Sequence, residues 1–228
     1  MLEPSTLARM TALITTWDAC ADQRAIFLRC YRMMTNNMLA ALAGGEFSDG
    51  AWVDRLLRRF ADYYFRAVAD YERDRAAAPR AWQVAHDAAS QQGLWALQKL
   101  LLGVNAHINY DLVLTLVELL QAEWADLTEV QRAARYADYC HVNDIIARTI
   151  DAVQDQILEP AMPLLAVLDR LLGRMDERLI SRLLTGWRDE VWREAVLVLQ
   201  ARDADARARI IQQVEARALR EGRLIEMV

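Results

Sequence analysis

The sequence predicts an all-α protein, a single-domain bundle of seven to nine helices around one buried central helix. Apolar residues recur at spacings of three and four residues along most of the chain, which is the period of one helix face. Only 8 glycines and 4 prolines interrupt 228 residues, so turns are few and the helices between them are long. No stretch shows the alternation of a half-buried strand and no linker divides the chain, so residues 1–228 are expected to form one domain.

The N-terminal half of the chain is predicted to form four helices. Small polar residues that cap helix N-termini precede three of them, and proline, which fits the first turn, precedes the fourth. A glycine pair ends the second helix, because glycine adopts the left-handed conformation that closes a helix. The predicted helices run from Ser5 to about Cys20, from Asp22 to Gly44 and Gly45, from Ser48 or Asp49 onward, and from Pro79 through Trp82.

The C-terminal half adds the predicted central helix and its remaining neighbours. Residues 93–122 are apolar nearly all round, and a helix without a polar face is buried. Thr128 and Gln131 form a capping-box pattern, in which each side chain caps the other residue's backbone. The later segments are a helix from Thr128 to about Leu158, a short segment from Pro163 to Gly173, a helix from Asp176 to Leu199, and a charged amphipathic helix from about Asp203 to Arg220.

Composition restricts the partners and the location that we expect. The net charge of −5 argues against a nucleic-acid partner, because phosphate binding depends on clustered lysine and arginine. Three cysteines without a CxxC pair suit a reducing cytoplasm. The most apolar stretch, 94–120, includes lysine, histidine, aspartate and glutamate, so it is predicted to be a core helix and not a membrane span. A small molecule is the expected partner, and a homodimer is left open.

The central helix carries the candidate functional site. At about 100° per residue, His107 and Asp111 share one face, while Asn105 and Asn109 lie one turn apart on the opposite face. Polar groups on a buried helix must find partners inside the protein. Histidine and aspartate four residues apart are neighbours on the helix surface, so both can reach a single metal ion.

The sixth predicted helix contributes further polar residues at the edges of its apolar face. Helical rotation places Asp138 and Asn143 on either side of that face and Arg135 close to its centre. His141 and Asp144 point away from it and are expected in solvent. The buried set for this helix is therefore Asp138 and Asn143.

These residues are predicted to surround one cavity. One divalent metal ion is the expected cofactor, and the catalytic acid or base is expected to be a carboxylate. The assigned metal ligands are His107, Asp111 and Asp138, the assigned catalytic residues are Asp111 and Asp138, and the assigned substrate contacts are Asn105, Asn109, Tyr110, Asn143 and Arg188.

Several segments together resemble a bacterial all-helical family whose function is unknown, a domain of unknown function. The most specific segment is the twelve-residue block 101–112, with the sequence LLGVNAHINYDL. The other matching pieces are Arg9-Met10, Phe27-x3-Tyr31-x3-Thr35, Gly45-x-Phe47-x-Asp49, Phe60-Ala61-x2-Tyr64, Asp138-Tyr139-x2-Val142-Asn143 and Trp187-Arg188-x3-Trp192-x2-Ala195. This resemblance covers most of the chain and implies a family without implying an activity.

A looser similarity links the segment from Gly103 to Asp111 to the zinc-dependent phospholipase C and single-strand nuclease group. Those proteins are also all-helical and contain a Gly-x3-His-x3-Asp segment, so the similarity implies metal-dependent hydrolysis. The Pro-x-His motif and further histidines of that group are missing here. Three histidines in the whole chain do not suffice for a trinuclear zinc centre, and at most one or two ions held mainly by carboxylates and amides would fit.

Three functions remain compatible with the sequence. The favoured one is a metal-dependent hydrolase of a small ester or phosphoester, with Asp138 as a ligand or general base. The second is a metal-free cyclase- or lyase-type enzyme that encloses an isoprenoid- or polyketide-like substrate, with Asp111 or Asp138 as the acid or base. The third is a non-catalytic ligand-binding or scaffold protein whose buried polar network is neutralised by Arg135 or Arg188.

Overall fold

The computed structural model describes residues 5–153, 156–157 and 177–227, and within these ranges the chain forms eight helices and no strand. The all-α prediction is confirmed. The predicted segment from Pro163 to Gly173, the cap at Asp176 and the helix end at Leu158 lie outside the described residues. The helices are α1 (Thr6–Ala19), α2 (Arg24–Ala43), α3 (Gly50–Arg73), α4 (Arg80–Ser90), α5 (Ala96–Gln121), α6 (Glu129–Val153), α7 (Glu177–Leu199) and α8 (Ala204–Met227).

Local capping explains where several helices begin and end. Ser5 and Asp49 each accept a hydrogen bond from the backbone N–H three residues ahead, at 3.2 and 2.9 Å. The Thr128–Gln131 capping box is present, with both reciprocal bonds made. Beyond the end of α2, Gly45 has a φ of +69°, a conformation that glycine adopts without steric cost. The caps predicted at these positions are confirmed.

Helix α5 is the centre of the bundle and packs against α2, α3, α4, α7 and α8. By length and composition alone α5 is also long and apolar enough to cross a membrane, and 78% of its most apolar window is buried within the bundle. The helix is not regular throughout. Residues His107–Asp111 form a π-helical turn, a wider turn that often accompanies functional sites. The sequence predicted a continuous α-helix here and missed this turn.

A glycine allows α2 and α5 to approach closely. A Cβ atom on Gly103 would lie 2.6 Å from Cγ of Phe27, well inside van der Waals contact. Phe27 is itself held by aromatic contacts with Tyr31, Tyr64 and Trp82. The close approach therefore requires a residue without a side chain at this position of α5.

Replacing Gly103 with alanine is expected to lower the free energy of unfolding by about 1–3 kcal/mol, because the added methyl group overpacks a rigid aromatic core. Urea denaturation monitored by circular dichroism measures the change. Gly186, within α7, has open space where a Cβ atom would lie, so Gly186→Ala serves as the control and should stabilise by about 0.5–1 kcal/mol. Equal effects of the two substitutions would contradict the close packing at Gly103.

Candidate functional site

A partly open cavity of about 170 Å³ lies between the helices, with walls from α2, α3, α5, α6 and α7. Aliphatic side chains form most of the wall, including Leu100, Val104 and Ile108 from α5 and Ile146 and Ile150 from α6. Along α6 the lining side chains run from Val142 to Val153, a distance of about 16 Å at 1.5 Å per residue. The cavity is therefore elongated along the bundle and almost entirely apolar.

A few polar side chains interrupt this apolar wall. Tyr31, Thr35, His107, Thr149 and Arg188 line the cavity. The Thr149 hydroxyl is engaged, since it donates to a backbone carbonyl and accepts from a neighbouring amide. The hydroxyls of Tyr31 and Thr35 are buried and make no hydrogen bond to the described part of the chain. These residues contribute to the wall, but the hydroxyl oxygens of Tyr31 and Thr35 are covered by the surrounding protein atoms.

The π-helical turn holds His107 and Asp111 against Trp82. Nδ1 of His107 lies 3.0 Å from Oδ2 of Asp111, and the indole Nε1–H of Trp82 donates to the same oxygen at 2.9 Å. The imidazole ring stacks on Phe60, with centroids 3.5 Å apart and planes 6° apart. His107 and Asp111 are 3% and 1% exposed. The pair is a fixed, buried unit, and of its two members it is His107 that lines the cavity.

Burial drives this pair toward a neutral state. Loss of solvation lowers the pKa of His107 well below its ordinary 6.5 and raises the pKa of Asp111 well above 3.8. The bond from Trp82 lowers the pKa of Asp111 but is the smaller influence. A neutral pair holds one hydrogen between Nδ1 and Oδ2 and a second one on Nε2. Nε2 is covered by the surrounding protein atoms and has no hydrogen-bond partner among the described residues.

Asn105 and Asn109 face away from the cavity, toward α8. Nδ2 of Asn109 donates to Oδ1 of Asn105 at 2.8 Å, and Nδ2 of Asn105 donates to the carbonyl of Ala218 at 2.8 Å. Nη1 of Arg217 donates to Oδ1 of Asn109 at 2.8 Å, while its Nε donates to Glu194 at 2.8 Å. These amides are occupied in joining α5 to α7 and α8, and the structure does not bring them to the cavity.

The remaining predicted residues on α5 and α6 have other surroundings. Tyr110 is half-buried beside both apolar cores, and burial raises its pKa to about 12. The carboxylate of Asp138 accepts hydrogen bonds from the backbone N–H groups of Ser48 and Asp49, each at 2.8 Å. It thereby fixes the start of α3. Neither Tyr110 nor Asp138 is among the residues that line the cavity.

Within the described ranges, the three assigned metal ligands, His107, Asp111 and Asp138, are not brought together. Asp138 is directed at the loop before α3, whereas His107 and Asp111 are bonded to each other and to Trp82. The physical reason is the packing of α6, which lies against α2 and α7 and is separated from α5 by the cavity. In the described ranges no group of three or more His, Cys, Asp or Glu side chains is placed to hold a metal ion.

Arg188 and Asn143 form a separate polar group at one end of the cavity. Nε of Arg188 donates to Oδ1 of Asn143 at 2.7 Å, and Nη2 donates to the carbonyl of Tyr139 at 2.6 Å. The Tyr139 hydroxyl donates in turn to the Arg188 carbonyl at 2.7 Å. The guanidinium carbon lies 4.2 Å from the centroid of the Tyr139 ring. This group joins α6 to α7 and places a cation in the wall.

The predicted burial pattern is confirmed for most of the candidate residues. Four of five side chains expected inside are buried: His107, Asn109, Asp111 and Asp138. Asn143 is half-buried. The side chains of His141 and Asp144, expected outside, are 31% and 73% exposed and form a surface cluster with Glu46. The orientation predicted for α6 was correct. The predicted contacts of its buried face were wrong, because Asp138 bonds to Ser48 and Asp49 and not to a metal site on α5.

A cavity was predicted, but most of its lining residues were not. Tyr31 and Thr35, for example, were not among the predicted site residues, because a helical spacing of apolar and aromatic residues does not distinguish packed walls from walls around a space. The bond from Trp82 to Asp111 was missed as well, since the two residues lie on different helices. The feature of the sequence that did indicate this site was the polar pair His107 and Asp111, one turn apart within an apolar helix.

Comparison with known proteins gives a family and no activity. Neither a curated protein nor a solved structure matches the chain. A family model matches residues 4–227, which is nearly the whole sequence. The matched range includes every cavity-lining residue and the polar groups described above. The chain therefore belongs to the family of unknown function DUF5995.

Proposed function

We propose that this protein binds a small, elongated apolar molecule in the cavity between α5 and α6. The observation that carries the proposal is the cavity itself, about 170 Å³ of space with a wall of leucine, isoleucine, valine and methionine. A cavity of roughly 150 Å³ with a similar lining, engineered into another protein, stays dry and binds benzene. The present cavity is of that size class and chemistry.

The apolar wall supports the proposal. The space is partly open to solvent, so its apolar wall is in contact with water when no ligand is bound. Removing apolar surface from water stabilises by about 25 cal/mol per Å². A ligand that covers this wall therefore stabilises the folded state.

Ligand binding is part of the third function that is compatible with the sequence, and it requires only the apolar cavity. Metal-dependent hydrolysis needs a further ligand beside His107 and Asp111, which the described residues do not supply. An enzyme acting on an apolar substrate would use the same cavity, with His107 rather than Asp111 or Asp138 as the group in contact with the substrate. Both an enzyme of this kind and a non-catalytic carrier would bind an apolar molecule in the cavity.

Isothermal titration calorimetry with butylbenzene tests the proposal. The wild-type protein is expected to bind this neutral probe, and the probe is expected to raise the thermal midpoint. Val104→Phe places a larger side chain in the wall and is expected to weaken binding by about tenfold or more, since it occupies ligand volume. Val130→Phe, at a position 80% exposed on α6, is the matched control and should leave binding unchanged.

Two results would contradict the proposal. One is the absence of any heat or thermal shift with butylbenzene in the folded wild-type protein. The other is equal binding by the wild type and a correctly folded Val104→Phe variant, because the probe would then occupy a different place.

A further inference from the structure

Among the described residues, Arg188 is the guanidinium that lines the cavity, and its hydrogen-bond acceptors there are neutral. The residue is 5% exposed. Two of its N–H groups are bonded, to Asn143 and to the Tyr139 carbonyl, and both acceptors are neutral. No carboxylate of the described chain lies within ion-pair distance of it, whereas Arg217 nearby in the fold has Glu194.

A buried cation without an anion is costly. Removing a guanidinium from water carries a penalty of several kcal/mol, which neutral acceptors and an aromatic face repay only in part. Arginine presents a planar fork of donors that matches a carboxylate in two parallel hydrogen bonds. The remaining N–H groups of Arg188 are therefore suited to an anion supplied from outside the chain.

Arg188 stands at one end of the elongated cavity. Its two acceptors, Tyr139 and Asn143, flank Val142, which is the first α6 residue of the wall. From there the wall continues about 16 Å along α6 through Ile146 and Ile150 to Val153. The cavity thus has one cationic end and an apolar remainder.

We infer, on the basis of the proposed function, that the bound molecule is a medium-chain aliphatic carboxylate. Its carboxylate pairs with the guanidinium of Arg188, and its alkyl chain lies between α5 and α6 in the direction of Val153. The head group neutralises the buried charge and the chain fills the apolar space, so one amphiphile meets both requirements of the wall.

Head-group comparison in the wild-type protein is the primary test. Octanoate, methyl octanoate and 1-octanol share a chain length and differ in charge, and their affinities at pH 7.5 are measured by isothermal titration calorimetry. Octanoate is expected to bind about tenfold to a hundredfold more tightly than either neutral compound, the range that corresponds to hydrogen bonds with a charged partner.

Substitution of Arg188 assigns that preference to the guanidinium. Arg188→Gln is expected to remove the preference for octanoate while 1-octanol still binds. Arg188→Lys keeps a charge without the planar fork and is expected to retain a reduced preference. Arg182→Gln, at an exposed position of the same helix, is the control and should behave as the wild type.

The outcomes separate this inference from the proposed function. Equal affinity of the wild type for octanoate and 1-octanol, or butylbenzene binding without octanoate binding, overturns the carboxylate and leaves the apolar site. An octanoate preference that survives in Arg188→Gln overturns the role of Arg188. Failure of butylbenzene and all three octyl compounds to bind overturns both. If Arg188→Gln does not fold, the inference is tested by the head-group preference of the wild type and by the expected reduction of that preference in Arg188→Lys.

Discussion

Replacing Arg217 with methionine is expected to lower the free energy of unfolding by about 3–5 kcal/mol, the usual cost of breaking a buried ion pair on one side. The side chains of Arg217 and Glu194 are 12% and 11% exposed. Arg217 also donates to Oδ1 of Asn109, and Nδ2 of Asn109 donates to Asn105. The variant would leave a buried carboxylate and a buried amide oxygen without their partner. Urea denaturation at pH 7 measures the loss.

Two controls define this prediction. The double variant Glu194→Leu with Arg217→Met is expected to recover most of the loss, because neither charge is then left unpaired in the core. Arg58→Met removes the exposed i,i+4 pair with Asp54, whose side chains are 66% and 37% exposed, and should cost less than about 1 kcal/mol. A loss for Arg217→Met no larger than that for Arg58→Met would contradict the buried network.

The stability that the His107–Asp111 pair gives the protein is expected to decline as the pH rises above neutrality. Burial raises the pKa of Asp111 well above 3.8 and lowers the pKa of His107 well below 6.5. The folded pair is therefore neutral. In the unfolded chain Asp111 is ionised above pH 3.8, and His107 is charged below pH 6.5.

The sign of the effect follows from proton counting. Between these two values the unfolded pair is also neutral overall, so its contribution to stability is flat. Above about pH 6.5 the unfolded chain binds one proton fewer than the folded one, and stability falls by about 1.4 kcal/mol per pH unit until the folded carboxyl ionises. Below about pH 3.8 the unfolded chain binds one proton more, and stability falls as the pH decreases.

Asp111→Asn isolates this contribution. Asparagine does not titrate, so the stability of the wild type relative to Asp111→Asn is expected to decrease as the pH rises above about 6.5, by up to about 1.4 kcal/mol for each pH unit, until the folded carboxyl ionises. Urea denaturation of both proteins across this range provides the measurement. Asp144→Asn, which changes a carboxylate 73% exposed, is the control and should show no such slope. A flat difference for Asp111 would mean that its carboxyl is ionised in the fold, which would contradict the neutral pair.

Local features of this chain followed from the sequence. The capping residues Ser5, Asp49 and Thr128 marked helix starts correctly, because a cap depends on side chains and backbone within one turn. The pairs four residues apart on α5 also lie together, with His107 bonded to Asp111 at 3.0 Å and Asn105 bonded to Asn109 at 2.8 Å. Such pairs depend on helix geometry alone.

Contacts between distant segments did not follow from the sequence. Asp138 finds its partners in the loop before α3, at Ser48 and Asp49, and Asn109 finds Arg217 on α8. Helical periodicity gives the direction in which a side chain leaves its helix but not the element that it meets. The cavity depends on how far apart α5 and α6 stand, which is a property of the whole bundle. Single-helix patterns contain no information about that separation.

The π-helical turn at His107–Asp111 is equivalent to one residue inserted into an otherwise regular α-helix. An inserted residue shifts the phase of every side chain that follows by about 100°. The N-terminal part of α5 therefore presents Leu100 and Leu102 to one apolar core, while the C-terminal part presents Leu112 and Leu116 to the other. The two parts of α5 thus face different apolar cores, and three buried polar side chains, His107, Asn109 and Asp111, lie in the turn that joins them.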